Sequence, residues 1–547
     1  MAKHRIYNNL FHTALITYIL IATACGTDTA SNVVTGTSNQ ILHFGNGDEP
    51  QDLDPHIVTG VPEHHIISAL LEGLVGKDPV DLKPVPAVAK TWEISDDGKT
   101  YLFHIRENAR WSNNDVLTAH DFVYSWKRAL MPNLGNQYAY MLYPVVNAEA
   151  FNKGQVQEFS KVGIRALDNK TLEVRLEYST PYFLGLLDHY STFPVHQLTV
   201  EAFGQIDTRG SKWTRAGNFV GNGSFSLKTW KQNRIIVVEK NPRYWDAASV
   251  KLNEIHFHPV PQSTTEERMF RTGQLHITNS IPIEKIATYQ SESSHLIRIQ
   301  PYLGTYFYRF NTTKPPLNDV RVRQALAMTI DRQTIVDKVT KGGQFPAYTL
   351  TPPDTLGYTA KARIPFDIKR ARQLLVESGY PDGVGFPPIQ LLFNTTEGHQ
   401  QIAVTIQQMW KRALNIDLTL QSVDWKVFLE TERTMNFQIT RASWIGDYVD
   451  PNTFLDMFIT ESGNNKSGWS NHKYDDLISL ASQSSDQIQR YDYFQRAEQI
   501  LMDEVPIVPI YTYTRNFLIS PDVQGWHQNI LDHQSYKHVY LQTPDPG

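Results

Sequence analysis

Ile389-Gln390-Leu391-Leu392-Phe393 is a short apolar run, the residues from Gln400 to about Leu414 are apolar at helical spacing, and Ile416 to Leu420 is again short and apolar. Strand, helix, strand in that order predicts a βαβ unit, whose two strands run parallel with a right-handed crossover. Binding residues gather at the carboxyl ends of strands in such units, which here means the segment from Asn394 to His399. Upstream, Asp319 is placed to cap a helix whose Val322, Leu326 and Ile330 share a face, ending near Asp331-Arg332.

The first half reads differently. Two alternating runs from Trp92 to Arg106 flank Asp96-Asp97-Gly98, an acid-glycine turn that predicts a hairpin. Thr118 then caps a helix, with Asp121 three residues on and Phe122, Val123 and Trp126 as its apolar stripe. A second hairpin pattern runs from Val162 to Leu176 around Asp168-Asn169. This half is α+β in character, so the two halves are expected to be different lobes with a ligand site between them.

At 547 residues the chain exceeds what one core serves. With 41% hydrophobic and 20% charged residues it is of ordinary globular composition, and a net charge of −5 argues against a nucleic-acid partner. Lys3 and Arg5 precede the apolar run Ala14 to Ile21, which reads as a signal peptide over residues 1–24, too short for a membrane span. Cys25 is the only cysteine and follows Ala22-Thr23-Ala24. Those residues resemble a lipobox, with Ala22 where Leu is usual, and they also fit an Ala-x-Ala site for soluble release. Residues 25–40, rich in Ser, Thr, Asn and Gly, read as a tether. His64-His65 and His56 lack the spacing of a zinc site, the pair reading as solvated, and Gly221-Asn222-Gly223 reads as a tight turn.

Arg441-Ala442-Ser443-Trp444-Ile445-Gly446-Asp447-Tyr448-Val449-Asp450-Pro451 places an acid among large rings in a strand-like stretch. A carboxylate held there loses water unless a cation or several donors replace it. Asp447 is thus either a binding group or the cap of the next helix. Gly446 lets another backbone approach, and Asp450 before Pro451 reads as closing a turn.

Several segments, in order, resemble the extracytoplasmic solute-binding proteins of ABC transporters, in particular the large peptide-binding family. They are Glu49-Pro50-Gln51-Asp52-Leu53-Asp54-Pro55, Leu71-Glu72-Gly73-Leu74, the run from Trp92 through Trp111 to Trp126, Gly221-Asn222-Gly223-Ser224-Phe225, Asn241-Pro242-Arg243-Tyr244-Trp245, Asn318 to Leu326, and Tyr348 to Pro353. The resemblance implies an α/β, two-lobed periplasmic-binding-protein fold of type II with an additional inserted α+β domain. It divides the chain into 41–85 with 202–303 and 515–547 as domain I, 86–201 as domain II and 304–514 as domain III.

It also implies that Asp447 pairs with the amino terminus of a peptide, while the backbone of Ser443 and Ile445 pairs with the peptide as an added strand. Trp425, Trp444, Tyr138 and Tyr513 would line side-chain pockets; otherwise they are core aromatics. Arg441 and His399 would meet a ligand carboxylate, His399 with a charge that fades near neutral pH; the bland alternatives are a solvated Arg and a helix-start His. Glu72 would be a cavity acid or else a surface charge. Glu432 and Thr340 depart from the family, which often carries Arg and Lys there, and predict a preference shifted away from ligand carboxylates reaching those points. The expected function is delivery of short peptides to ABC permease subunits by a non-enzymatic monomer, with no cofactor and no metal, and with membrane contact only through a lipid on Cys25. The alternatives are an exported hydrolase, or a receptor specialised for murein peptides or dipeptides.

Overall fold

The computed structural model describes residues 31–543. The signal peptide and Cys25 lie outside them. Three sheets carry the fold. The first has four strands in the order Ile41–Gly47, Glu254–Pro259, Ile235–Lys240 and Phe225–Lys231, the first pair parallel and the others antiparallel. The second, also four-stranded, is antiparallel throughout and built from Ala89–Ile94, Thr100–Ile105, Thr171–Arg175 and Ile164–Ala166. The third is mixed and six-stranded, in the order Phe345–Pro346, Ile507–Leu518, Ile297–Phe310, Ile439–Ile445, Ile389–Asn394 and Leu418–Val423.

Local chemistry explains the elements. Gly98 takes φ +68 at the hairpin turn, a conformation that costs glycine little. Helix Ala119–Leu130 begins where the Asp121 carboxylate accepts from the Thr118 N–H at 2.7 Å, and it buries Phe122 and Trp126. The Asp319 side chain caps Val320–Met328, which stops two residues short of the buried Ile330. In the βαβ unit the strands Ile389–Asn394 and Leu418–Val423 are parallel. The intervening helix, Glu397–Leu414, starts earlier than expected because Thr396 caps it. Asn415 then turns with φ 56 and delays the second strand to Leu418.

In the described residues from 31 on, the segment expected as a tether is folded. Ser31 caps a helix, Asn32–Asn39, whose Gly36 and Thr37 are buried. The Thr37 hydroxyl donates to Asp522 at 2.8 Å. The small residues that read as flexible here permit close packing on the C-terminal segment.

The strands Ile297–Phe310 and Ile507–Leu518 pair with each other and run through the expected boundaries at 303/304 and 514/515. Their register shifts between Pro301 and Thr305. On one side of that shift Ile297 and Leu518 pack with Ile281 and Ile286 of the first lobe. On the other side Tyr306, Phe307 and Tyr308 are fully buried in the second lobe.

Several of the family-like segments are structural. Asp54 accepts a bidentate ion pair from Arg128, at 2.8 and 2.6 Å, with both residues buried. Glu498 takes hydrogen bonds from Thr349, Leu350, Thr351 and Tyr358, which anchors the Tyr348 to Pro353 stretch. Asn222 brackets the main chain of Glu72, and Gly223 lies so close to Leu70 that a Cβ would fall 2.5 Å from its carbonyl carbon.

Candidate functional site

Strand Ile439–Ile445 pairs along its whole length with Ile297–Phe310, placing Gly304 opposite Ile445, Tyr306 opposite Ser443 and Tyr308 opposite Arg441. On its other side Ile389–Asn394 accompanies it only at Ile439 and Thr440. From Arg441 onward that edge is open. Successive residues of a strand turn their N–H and C=O groups to opposite sides. Gly446 donates its N–H to the Leu303 carbonyl at 2.7 Å, so Ala442 and Trp444 address the partner strand. Arg441, Ser443 and Ile445 therefore turn their main-chain groups to the open edge.

A cleft between the lobes follows this edge in two adjoining chambers. The first is lined by Trp444, Asp447, Lys77, Tyr138, His189 and Lys466, among others. The second is lined by His399, Tyr513, Asn394, Asp48 and Thr340, with others. Arg441, Ser443 and Trp425 border both. The division follows the pleat: Arg309, opposite Thr440, shares a sheet face with Trp444, whereas Arg441 shares the other face with Tyr306 and Tyr308.

Asp447 lies just past the end of the open edge, with its side chain 10% exposed. Its Oδ1 is 3.4 Å from His189 Nε2, and its Oδ2 has no hydrogen-bond partner among the described residues. Lys77 does not fill that position. Its ammonium donates to the Asp447 carbonyl at 3.1 Å and pairs with Asp188 at 3.0 Å. Desolvation pushes the Asp447 carboxyl up to about 8, against the opposing pull of Lys77 and of the nearby Thr453 hydroxyl, which accepts the Asp447 N–H at 3.0 Å. Burial, with His64 and Lys77 nearby, holds the His189 imidazole well below its usual value, so it brings no charge at neutral pH. Asp450 is engaged elsewhere, accepting from the Asn452 N–H at 2.9 Å and from both terminal nitrogens of Arg490 at 2.7 Å.

In the second chamber Arg441 lies over the Tyr306 ring, 5.2 Å from its centroid, and donates to the Tyr513 hydroxyl at 3.2 Å and to Asn394 at 3.4 Å. His399 sits in the first turn of its helix, 3.4 Å from the Tyr306 hydroxyl. Burial and the adjacent Arg441 keep its imidazole well below the usual range. The expectation of a charge fading near neutral pH is thus corrected: in this environment His399 is neutral. Asp48 faces the same chamber, its carboxyl raised to about 6 by burial, with Arg441 opposing.

The aromatic residues sit at the cleft walls. The Tyr138 ring is 4.4 Å from His189 and 6.0 Å from Trp444, while Trp425 stacks on Phe428 at 5.7 Å. The indole nitrogens of Trp425 and Trp444 and the Nε of Arg441 have no partner among the described residues. Each such buried atom costs about 1–3 kcal/mol, and these, with Asp447 Oδ2, border the one cleft.

Glu72 is a correction. It borders neither chamber, and its carboxylate accepts from the Tyr244 hydroxyl and from the Trp245 indole at 2.5 Å, where it locks the first lobe. His64 and His65 are a second. His65 is 7% exposed with Nδ1 3.2 Å from Asn46, and both line the first chamber. Lys77, Asp188, His189, Arg309 and Lys466 were not singled out from the sequence, because each comes to the cleft from a separate part of the chain, Arg309 through its strand pairing opposite Thr440. Among the described residues no group of three or more His, Cys, Asp or Glu is arranged to hold a metal ion.

A cleft between two lobes, floored by an unpaired strand edge and crossed by paired strands, is the architecture of a two-lobed ligand-binding receptor. The family model for bacterial extracellular solute-binding proteins, family 5 Middle, matches residues 83–466. The chain belongs to that family, and its fold is the two-lobed type II periplasmic-binding fold. It is 38% identical to the periplasmic oligopeptide-binding protein OppA of Salmonella typhimurium, over 97% of this chain and 98% of that one. Among solved structures it matches Haemophilus influenzae OppA in complex with RPPGFSPFR at TM-score 0.87 and 33% identity, covering 92% of this chain and 99% of that one. The Escherichia coli murein tripeptide binding protein MppA matches at TM-score 0.87 and 36% identity, covering 92% and 98%. The unliganded open form of MppA scores only 0.62 at the same identity, covering 92% and 97%. One sequence with two scores isolates lobe position as the difference, so this chain is in a closed arrangement.

Proposed function

We propose that this chain is the extracytoplasmic receptor of an ABC peptide permease, closing its lobes over a short peptide and presenting it to the membrane subunits. The observation that carries this reading is the open strand edge from Arg441 to Ile445, which ends at the buried carboxylate of Asp447. An extended peptide added to that edge gains main-chain hydrogen bonds without any reading of its side chains, which gives affinity across many sequences. Its amino terminus brings Asp447 the missing cation. Arg441, two residues further along the same edge from Ser443, offers a fork to a carboxylate farther down the ligand.

The relatives named for oligopeptides and for murein tripeptide support a peptide as ligand. Closure follows from differential contact: a ligand touching both lobes stabilises the closed arrangement in proportion to what it gains there. We read 41–85, 202–303 and 515–547 as one domain, 86–201 as the second and 304–514 as the third, with Ile297–Phe310 and Ile507–Leu518 as the two hinge segments. The receptor binds without catalysis, works as a monomer in the periplasm and is held to the membrane by lipid on Cys25.

Mass spectrometry of ligands released from the natively purified chain tests the central reading. Intact short peptides with free amino termini are expected, and so is their intact recovery after incubation with a peptide mixture. Cleaved fragments would replace the receptor by a hydrolase, and non-peptide ligands would overturn the assignment of Asp447. Radiolabelled fatty acid should appear in the wild-type chain and be absent from Cys25→Ser.

A further inference from the structure

On the Trp444 face of the sheet the first chamber ends in a charged floor. Arg309 and Glu432 form a buried ion pair at 2.6 Å. Lys466 lines the same chamber and is half-buried, and its ammonium has no ion-pair or hydrogen-bond partner among the described residues. The neighbouring Arg433 is already paired with Glu430 at 2.7 Å. Glu432 is thus neutralised, and the floor carries one positive charge that no protein group balances. Phe428, Leu429 and Trp425 supply apolar lining to the same chamber. The loop bearing Lys466 is held across the cleft: Asn464 donates to the Gln137 carbonyl at 3.2 Å, so the chamber is completed only when the lobes meet.

We infer that this chamber is a subsite for a ligand side chain ending in a carboxylate, of glutamate length or longer, with Lys466 as its specificity-determining cation. The inference rests on the peptide-receptor reading. Unpaired ammonium groups are unfavourable where water is displaced, and an anion on a short apolar stem satisfies both the apolar lining and the unpaired charge. Burial already pulls the Lys466 ammonium down to about 8, against the pull of Glu432, which is the signature of a cation short of anionic company. Because strand residues alternate between faces, only every other ligand residue points into this chamber. On this face the inference runs against the expectation that Glu432 shifts preference away from ligand carboxylates.

The test is titration calorimetry of the intact chain with trialanine and with variants carrying Glu or Gln at each position. Glu is expected to bind about tenfold more tightly than Gln at one position or at alternate positions, never at adjacent ones. In Lys466→Met that ratio should fall to one or below, and in Lys466→Arg it should persist. Glu432→Gln, which keeps a hydrogen-bond acceptor for Arg309 and removes the competing negative charge, should raise the ratio. Melting curves check that each variant is folded. Glu and Gln binding equally everywhere, or a ratio unchanged in both Lys466→Met and Glu432→Gln, overturns the subsite while leaving the receptor standing, provided trialanine binds. If none of these peptides binds, the receptor reading fails and the subsite falls with it.

Discussion

Nε2 of His189 stands 3.4 Å from Oδ1 of Asp447, yet the two carry no ion pair, since burial keeps the imidazole neutral and raises the carboxyl to about 8. The cation that completes Asp447 has to come with the ligand. Asp447→Ala should therefore weaken binding of free tripeptides by roughly 3–5 kcal/mol, the cost of stranding one member of a buried pair. The melting temperature should hold. Calorimetry giving an unaltered affinity would remove Asp447 from the site.

Protons report the same event. In the closed arrangement without ligand, burial keeps the proton on the Asp447 carboxyl up to about pH 8, whereas an unfolded aspartate releases it near 3.8. A raised value stabilises the fold fully below about pH 4, and the contribution is lost as pH rises through 8. Relative to Asp447→Asn, the unliganded wild type should thus lose stability between those limits, read from melts across the range. A bound ammonium reverses the shift, so tripeptide binding near pH 6.5 should release a proton. The calorimetric enthalpy will then vary with buffer ionisation heat, and less so in Asp447→Asn.

Arg441 should distinguish ligand ends. Amidating the carboxyl terminus of a tripeptide or tetrapeptide should weaken binding for at least one of the two lengths, by about 1.5–3 kcal/mol for a lost charged hydrogen bond. The penalty should vanish in Arg441→Gln. A penalty of equal size in that variant would reassign the carboxylate contact.

A latch at the mouth of the cleft can be loosened separately. Glu397, at the start of helix Glu397–Leu414, accepts from Ser263 at 2.5 Å and from Thr264 at 2.6 Å at the start of helix Ser263–Arg271. Glu397→Ala should shift the unliganded population toward open forms, seen as a larger radius of gyration in solution scattering. Saturating peptide should restore the compact value.

The ion pair of Asp54 and Arg128 should matter for folding alone. Asp54→Asn is expected to cost roughly 3–5 kcal/mol of stability in denaturant unfolding. The tripeptide affinity of the folded fraction should stay as it was.

Legibility in the sequence followed the range of the forces involved. The hairpin at Asp96-Asp97-Gly98, the capped helix after Thr118 and the βαβ unit from Ile389 are set by local turn chemistry and periodicity, and they stand within a few residues of expectation. The segment Asn32–Asn39 was misread because its Ser and Thr content suits a tether and a packed cap equally, and only the distant Asp522 decides between them. Asp447 was conspicuous as an acid among rings. His189, Lys77 and Lys466 were not, since each reaches the cleft from a separate part of the chain and nothing near it in sequence marks its destination. Glu72 was misplaced by the opposite error: a family-like motif was read as ligand contact when its partners, Tyr244 and Trp245, belong to another such motif.

The strands Ile297–Phe310 and Ile507–Leu518 have a further consequence. Because each is rooted in both lobes and they hydrogen-bond to each other on either side of the register shift, neither lobe can melt without tearing out a strand the other depends on. Heating should therefore give a single cooperative transition in calorimetry, with or without peptide, even where the cleft has been loosened at Glu397.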